Sequence, residues 1–223
     1  TVILGASNAL PTNVILRIGE AANSVTAGSG TLNLNGYDVT CGQFLSAYSN
    51  GVAFPYNLAV RNTNAAPATL VVYQTNDTVY EGRLMENLSL RKEGGGKLTL
   101  YGTNSLSNAV WVAGGTLALA SNATLPATQI LVEAGATFSV AGHVDGSHTV
   151  VAGQTLGGAG QVIGSVTNEG RIAPGNPLGT LTVSGDVGFS PASVLAIGLG
   201  GTDPTNYGSI VASGQAILDG TLD

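Results

Sequence analysis

One phrase returns along the whole length of this chain. It is a glycine, a short spacer, then two apolar residues separated by one other residue. It stands as Gly30-Thr31-Leu32-Asn33-Leu34, Gly96-Lys97-Leu98-Thr99-Leu100 and Gly115-Thr116-Leu117-Ala118-Leu119. Looser copies read Gly135-Ala136-Thr137-Phe138-Ser139-Val140, Gly153-Gln154-Thr155-Leu156, Gly179-Thr180-Leu181-Thr182-Val183 and Gly214-Gln215-Ala216-Ile217-Leu218. From Gly96 the phrase returns at Gly115, Gly135 and Gly153, a nearly even spacing. Self-similarity at a step of about 20 residues marks a repeat architecture, in which each unit buries its apolar side against its neighbours. Stacked units make a long surface, and long surfaces suit holding and spanning better than catalysis.

The units read as strands. Apolar residues alternate with small polar ones, strand formers dominate, and Gly, Asn and Ser interrupt every few residues. No window sustains a 3.6-residue period, so no long helix is expected, although Ala6 to Pro11 has room for one helical turn. Residues two apart in a strand share a face. Leu98, Leu100, Leu117, Leu119, Phe138, Val140, Leu181 and Val183 should therefore point inward, with Thr99, Ala118, Ser139 and Thr182 outward. About 11 rungs at ~4.8 Å would give a rod roughly 50 Å long. A Leu98→Asp change should unravel the rungs beside it.

Composition narrows the function. Only 9% of the 223 residues are charged, and mean hydropathy is +0.29. No apolar run approaches the ~18 residues of a membrane helix, so direct membrane insertion is not expected. Net charge is −6, and the seven basic residues, Arg17, Arg61, Arg83, Arg91, Lys92, Lys97 and Arg171, are scattered. Nucleic acid needs a clustered basic footprint, and anionic lipid needs a polybasic segment. Neither partner is expected. The single cysteine, Cys41, allows no intrachain disulfide; following Val39-Thr40 and preceding Gly42, it reads as a small buried hydrophobe.

The expected organisation is one solenoid over 1–223. Residues 96–189 follow the rhythm most closely. Residues 46–95 depart from it, with longer loops and most of the long side chains: Tyr48, Phe54, Tyr56, Arg61, Tyr73, Tyr80, Arg83, Met85, Glu86, Arg91 and Lys92. Residues 190–223 should hold the last rungs and an irregular excursion around Gly200 to Tyr207. Thr1 is not an initiator methionine, and the chain stops in what reads as the middle of a repeat, so a longer precursor with open rungs at both ends is expected.

Gly94-Gly95-Gly96-Lys97-Leu98-Thr99-Leu100-Tyr101-Gly102-Thr103-Asn104 resembles the autotransporter-associated β-strand repeat, whose pattern runs Gly-x-Gly-x-Leu-x-Leu-x-Gly-x-Asn. Gly114-Gly115-Thr116-Leu117 matches the segment that follows. Gln154 to Val162 and Ile172 to Leu181 look like distal parts of the same proteins. The resemblance covers residues 90–223 well and 1–45 more loosely, and it fades over 46–90. It implies an all-β, right-handed parallel β-helix (a β-solenoid) with about 20 residues per rung. It also implies a passenger or stalk segment of a large exported bacterial surface protein, secreted or displayed outside the cell.

Two clusters could carry chemistry. His143, Asp145 and His148 lie between Gly142 and the following strand and could converge on a zinc-like ion. Polar residues beside glycines are equally what a solenoid turn looks like, so no metal is expected. Asp77, Glu81, Glu86 and Glu93 could supply the two carboxylates of a glycosidase, with Arg83 and Arg91 near enough to neutralise them. The glycine runs make no phosphate loop: Gly94-Gly95-Gly96-Lys97 lacks the upstream Gly and the following Ser/Thr. No cofactor is expected.

The reading that accounts for most of the chain is a non-enzymatic structural protein, a fibre subunit or adhesin stalk. Its two ends are different surfaces and its charge is low, so head-to-tail stacking into a homopolymer is expected. Val2, Ile3 and Leu4 of one copy would meet Ile217 and Leu218 of the next. The alternative is a carbohydrate-binding or polysaccharide-cleaving β-helix using residues 46–95, with a polysaccharide or host surface as ligand.

Overall fold

The computed structural model describes residues 1–19, 29–46, 58–175, 178–203 and 206–223. Among them there is no α-helix, and every strand pairing is parallel, apart from one isolated antiparallel bridge between Leu199 and Tyr207. Tyr48, Phe54 and Tyr56 lie outside the described residues.

The strands fall into long parallel sheets. The longest has nine strands: β4 (Val39–Cys41), β7 (Ala68–Tyr73), β10 (Leu88–Glu93), β13 (Ala109–Val112), β15 (Gln129–Val132), β18 (Thr155–Gly158), β21 (Arg171–Pro174), β24 (Val194–Leu195) and β27 (Thr221–Leu222). A second has seven: β8 (Thr78–Tyr80), β11 (Lys97–Leu100), β14 (Thr116–Ser121), β16 (Thr137–His143), β19 (Gln161–Ile163), β22 (Gly179–Val183) and β25 (Gly208–Ala212). A third side is made by five strands, β1 (Val2–Ile3), β3 (Gly30–Asn33), β6 (Leu58–Asn62), β9 (Arg83–Glu86) and β12 (Ser105–Leu106). Four more continue it in chain order: β17 (Ser147–Val150), β20 (Ser165–Asn168), β23 (Val187–Phe189) and β26 (Ala216–Ile217). The chain visits the three sides in turn, so the fold is all-β and coiled.

Register shows how far the sequence rhythm extends. Leu70, Leu90, Val110 and Ile130 pair in succession, each step as long as the last. The same step joins Thr78 to Leu98 in the second sheet. Elsewhere it changes: Val39 pairs with Leu70 across a longer stretch of chain, and Leu156 with Ile172 across a shorter one. Extra or missing residues are absorbed at the corners, and the paired strands keep their register.

Alternation makes the core. Leu98, Leu100, Leu117, Phe138, Val140, Leu181 and Val183 have no exposed surface, and Leu119 has 2%. Thr99, Ala118, Ser139 and Thr182 between them are partly exposed, as alternation requires. Burying each Leu or Phe stabilises the fold by about 1.5–3 kcal/mol. Cys41 sits in the same interior, and burial pushes its thiol up to about 12, which leaves it a packing residue. The glycines of the phrase are corner residues. Gly94 (φ +74°) and Gly115 (φ +60°) stack so closely that a Cβ would lie 2.2 Å from Gln74 O at the first and 2.4 Å from Gly96 O at the second.

Side chains stitch other corners. The Asn35 amide donates to Leu4 O (3.2 Å), Asn64 to Asn35 O (3.2 Å), Asn87 to Asn64 O (3.2 Å) and Asn108 to Asn87 Oδ1 (2.7 Å). This asparagine ladder runs rung to rung along one edge between the first and third sides.

The third side has one seam. Its first sheet stops at β12, the next starts at β17, and residues 122–128 lie between without a strand. Pro126 falls in this stretch and has no N–H to give a ladder. The Gln154 side-chain amide takes over, donating to Leu125 O (3.0 Å) and Ala127 O (2.7 Å).

Candidate functional site

The four acidic residues of 77–93 do not converge. Asp77 lies just before β8, where its Oδ1 accepts from Lys97 N (2.8 Å) and its Oδ2 is 3.6 Å from Lys97 Nζ. Glu81 is buried after β8, on the turn towards the third side. Glu86 ends β9 on the third side and takes both Nε (3.0 Å) and Nη2 of Arg61. Glu93 ends β10 on the nine-stranded sheet and accepts from Arg91 Nε at 2.6 Å. Glu81 and Glu86 stand at other corners of the coil, while Asp77 and Glu93 flank one corner with each engaged by its own cation; a glycosidase needs two carboxylates flanking one bond. Arg61, Arg91 and Lys97 are the cations that pair with Glu86, Glu93 and Asp77.

The histidine cluster is also divided. His148 points inward, pairs in register with Val166, and is 9% exposed. Its Nε2 lies 3.3 Å from Gln154 Oε1, and its ring meets Phe138 edge-on, with centroids 5.4 Å apart. Burial holds its pKa down to about 4, so it is neutral at pH 7. His143 ends β16 beside Ser121, and Asp145 is exposed on the turn. Among the described residues no three His, Cys, Asp or Glu side chains gather as a metal site.

One interior group escaped the sequence reading. Lys92 stands in an inward column between Val72 and Val112, with no exposed surface. Its ammonium donates to Glu93 O (2.7 Å), Gly94 O (2.9 Å) and Gly114 O (3.1 Å). Three donors meet three acceptors, and the carbonyls belong to the glycine corner of two successive rungs. Burial pulls its pKa down to about 8, with Asp77 and Glu93 opposing. A period-2 reading of Leu88, Leu90 and Lys92 puts it inside; its charge argued for the surface.

Outward positions of the nine-stranded sheet form a different kind of surface. Val71, Arg91, Trp111, Leu131, Gly157 and Ala173 follow one another in register. The next outward column holds Tyr73, Glu93, Ala113 and Glu133. Tyr73 is 55% exposed. Arg91 Nη1 reaches across to Glu133 Oε1 (3.3 Å) while its Nε holds Glu93.

At the N-terminal end Val2 and Ile3 are 61% and 62% exposed on edge strand β1, while Leu4 is buried in its own core. At the other end Ile217, Leu218 and Leu222 are 63%, 74% and 73% exposed. Strands β26 and β27 are edges of their sheets.

Residues 90–119 match the family model described as the passenger-associated-transport-repeat. The match covers most of β10, all of β11 to β13 and most of β14, where the even step and the glycine corner are sharpest. It shows an autotransporter passenger-type repeat in that stretch. No curated protein and no solved structure matches the chain.

Proposed function

We propose that the chain is a non-enzymatic structural segment of an exported bacterial surface protein, a β-solenoid stalk that holds other parts away from the cell. The observation that carries this reading is the passenger-type repeat at 90–119 set in a parallel ladder that runs on through nine strands. In such a ladder the interior is filled by Leu, Val, Ile and Phe, and stiffness comes from nearest-neighbour contacts. The coil is right-handed, the hand that strand–crossover–strand units in parallel sheets strongly favour, and about 20 residues make its basic rung. Small-angle scattering of the purified chain should give a rod about 40–50 Å long, nine to eleven rungs at ~4.8 Å. A globular scattering profile would remove the stalk reading.

Head-to-tail stacking extends this reading to a fibre. β1 and β26 occupy the same side of the coil, both are edges, and both carry exposed apolar residues. Val2-Ile3 of one copy would add to Ala216-Ile217 of another, with Leu218 beside them. Cys41 is buried, so a chain carrying Val2→Cys and Ile217→Cys should cross-link through the new thiols alone. A ladder of oligomers under oxidation is expected. Monomer at high concentration would show that these edges are not mutual partners. Polysaccharide cleavage by residues 46–95 is not favoured, since Asp77, Glu86 and Glu93 are each engaged by a cation.

A further inference from the structure

Trp111 is the single tryptophan of the chain, and the fold does not use it in the core. Its strand neighbours Val110 and Val112 are wholly buried, so alternation turns the indole to the outside of the nine-stranded sheet. On its own strand it is flanked two residues away by Ala109 and followed by Ala113, side chains too small to screen the ring edges. Along the column it lies between Arg91 and Leu131. Beyond Leu131 comes Gly157, where an added Cβ would touch Leu131 Cδ2 at 3.3 Å and Ala173 O at 2.7 Å. The missing side chain lets Leu131 lie over bare backbone and lowers the surface by a step. The result is a short apolar strip of the partly exposed Trp111 and Leu131 on the outer face of the sheet.

The rim of this strip is polar, with two carboxylates paired to one arginine. Arg91 Nε is 2.6 Å from Glu93 Oε1 and its Nη1 is 3.3 Å from Glu133 Oε1. The Glu93 hydrogen bond, then the charges of Glu133 and Glu93, raise the guanidinium's pKa further above its ordinary value, so the arginine stays charged. Gln129 and Tyr73 add amide and phenol groups on the neighbouring outward positions. An arginine has five N–H donors, and each carboxylate has a second oxygen besides the Oε1 that Arg91 engages. The rim therefore offers many fixed donors and acceptors but no surplus positive charge.

We propose that this face, centred on Trp111, binds a neutral pyranose oligosaccharide. The axial C–H face of a sugar ring stacks on the indole, and its hydroxyls exchange hydrogen bonds with Glu93, Arg91, Glu133 and Gln129. Anionic polymers are disfavoured by the two carboxylates and the net charge of −6. A protein partner would find little apolar area beyond Trp111 and Leu131. The carboxylates are both held by one arginine, so the face binds sugar without cleaving it. The inference is independent of the stalk reading: a globular protein could bind sugar here, and a bare stalk need not.

With one tryptophan, intrinsic fluorescence reports this face alone. The whole chain is titrated with neutral soluble hexaoses of glucose, xylose, mannose and N-acetylglucosamine, and with oligogalacturonate as the charged comparison. At least one neutral oligosaccharide should give a saturable change in Trp111 emission, with none from oligogalacturonate. Isothermal titration of Trp111→Ala with that sugar should show affinity reduced about tenfold or more. Its circular dichroism should be unchanged, because the residue lies outside the core. Glu133→Gln should weaken binding less, since it keeps a hydrogen-bonding group. No saturable response to any neutral hexaose at millimolar concentration overturns the proposal. So does a response to the anion alone, equal affinity in the alanine variant, or a Trp111-dependent dimer in sedimentation, which would assign the face to a second copy.

Discussion

At the level of single residues, two buried bases set how stability follows pH. His148 has a folded pKa of about 4 against an ordinary 6.5, so the unfolded chain binds its proton first as pH falls. Stability is therefore full above pH 6.5 and is lost as pH drops towards 4, by at most about 3 kcal/mol. Urea titrations at pH 7 and 4.5 should show this loss, and His148→Leu should reduce it. Lys92 works in the opposite range. Its folded pKa is about 8 and its ordinary value 10.5, so between those values only the unfolded chain stays protonated. Its own contribution should rise from pH 8 to 10.5, while the buried Cys41 thiol, which the unfolded chain deprotonates first, works the other way above pH 9. The three carbonyls favour the ammonium, so the gain should be nearer about 2 kcal/mol than the full shift implies. Compared in a Cys41→Ala background, Lys92→Met should remove the rise between pH 8 and 10.5 in the same titrations. The inward stations of Leu98 and Phe138 were legible in the sequence because alternation and hydrophobicity agree there. Lys92 was not, because alternation and charge disagree, and only the three carbonyls of the glycine corner resolve the conflict.

At the level of strands, register matters more than any single contact. Leu98→Ala removes a side chain packed between neighbouring rungs and should cost about 2–5 kcal/mol in chemical denaturation. Thr99→Val, on the outer face of the same strand, should change stability by no more than about 0.5 kcal/mol. The seam at residues 122–128 should behave differently again. Thr124 bonds back to the preceding rung, but towards the next rung the Gln154 amide holds the Leu125 and Ala127 carbonyls, so Gln154→Ala strands both and should cost about 1–3 kcal/mol. Native-state hydrogen exchange should find the amides of 123–128 opening faster than those of Leu90 and Val110. The phrase glycines announced the corners, because only glycine fits where rungs come within 2.2–2.4 Å of a virtual Cβ. The asparagine ladder could not be read the same way. Asn35, Asn64, Asn87 and Asn108 stand at uneven and shrinking intervals, so no fixed period connects them until the coil places them side by side. Glu81 and Glu86 part company with Glu93 for a related reason: nearness along a coiled chain is distance around a perimeter.

At the level of the whole molecule, the coil turns sequence length into reach. Each rung adds a layer, and the outer face of the nine-stranded sheet is displayed without a break from β4 to β27. A stalk reading and a sugar-holding face are compatible on such a body, because the core occupies one set of alternate positions and the surface the other. Trp111 could be recruited to the outside without cost to the interior beneath it. The seam at Pro126 has a mechanical meaning as well. In a tethered rod pulled along its axis, the backbone bonds between successive rungs point along the line of force. Around one rung they share the load; along the rod they carry it in series. The junction with the fewest bonds is then the fuse. At the seam the Thr103–Thr124 bridge and the Gln154 amide stand in for a strand on one side, so a pulled molecule should part there before it parts between β10 and β13, leaving a separate coil on either side.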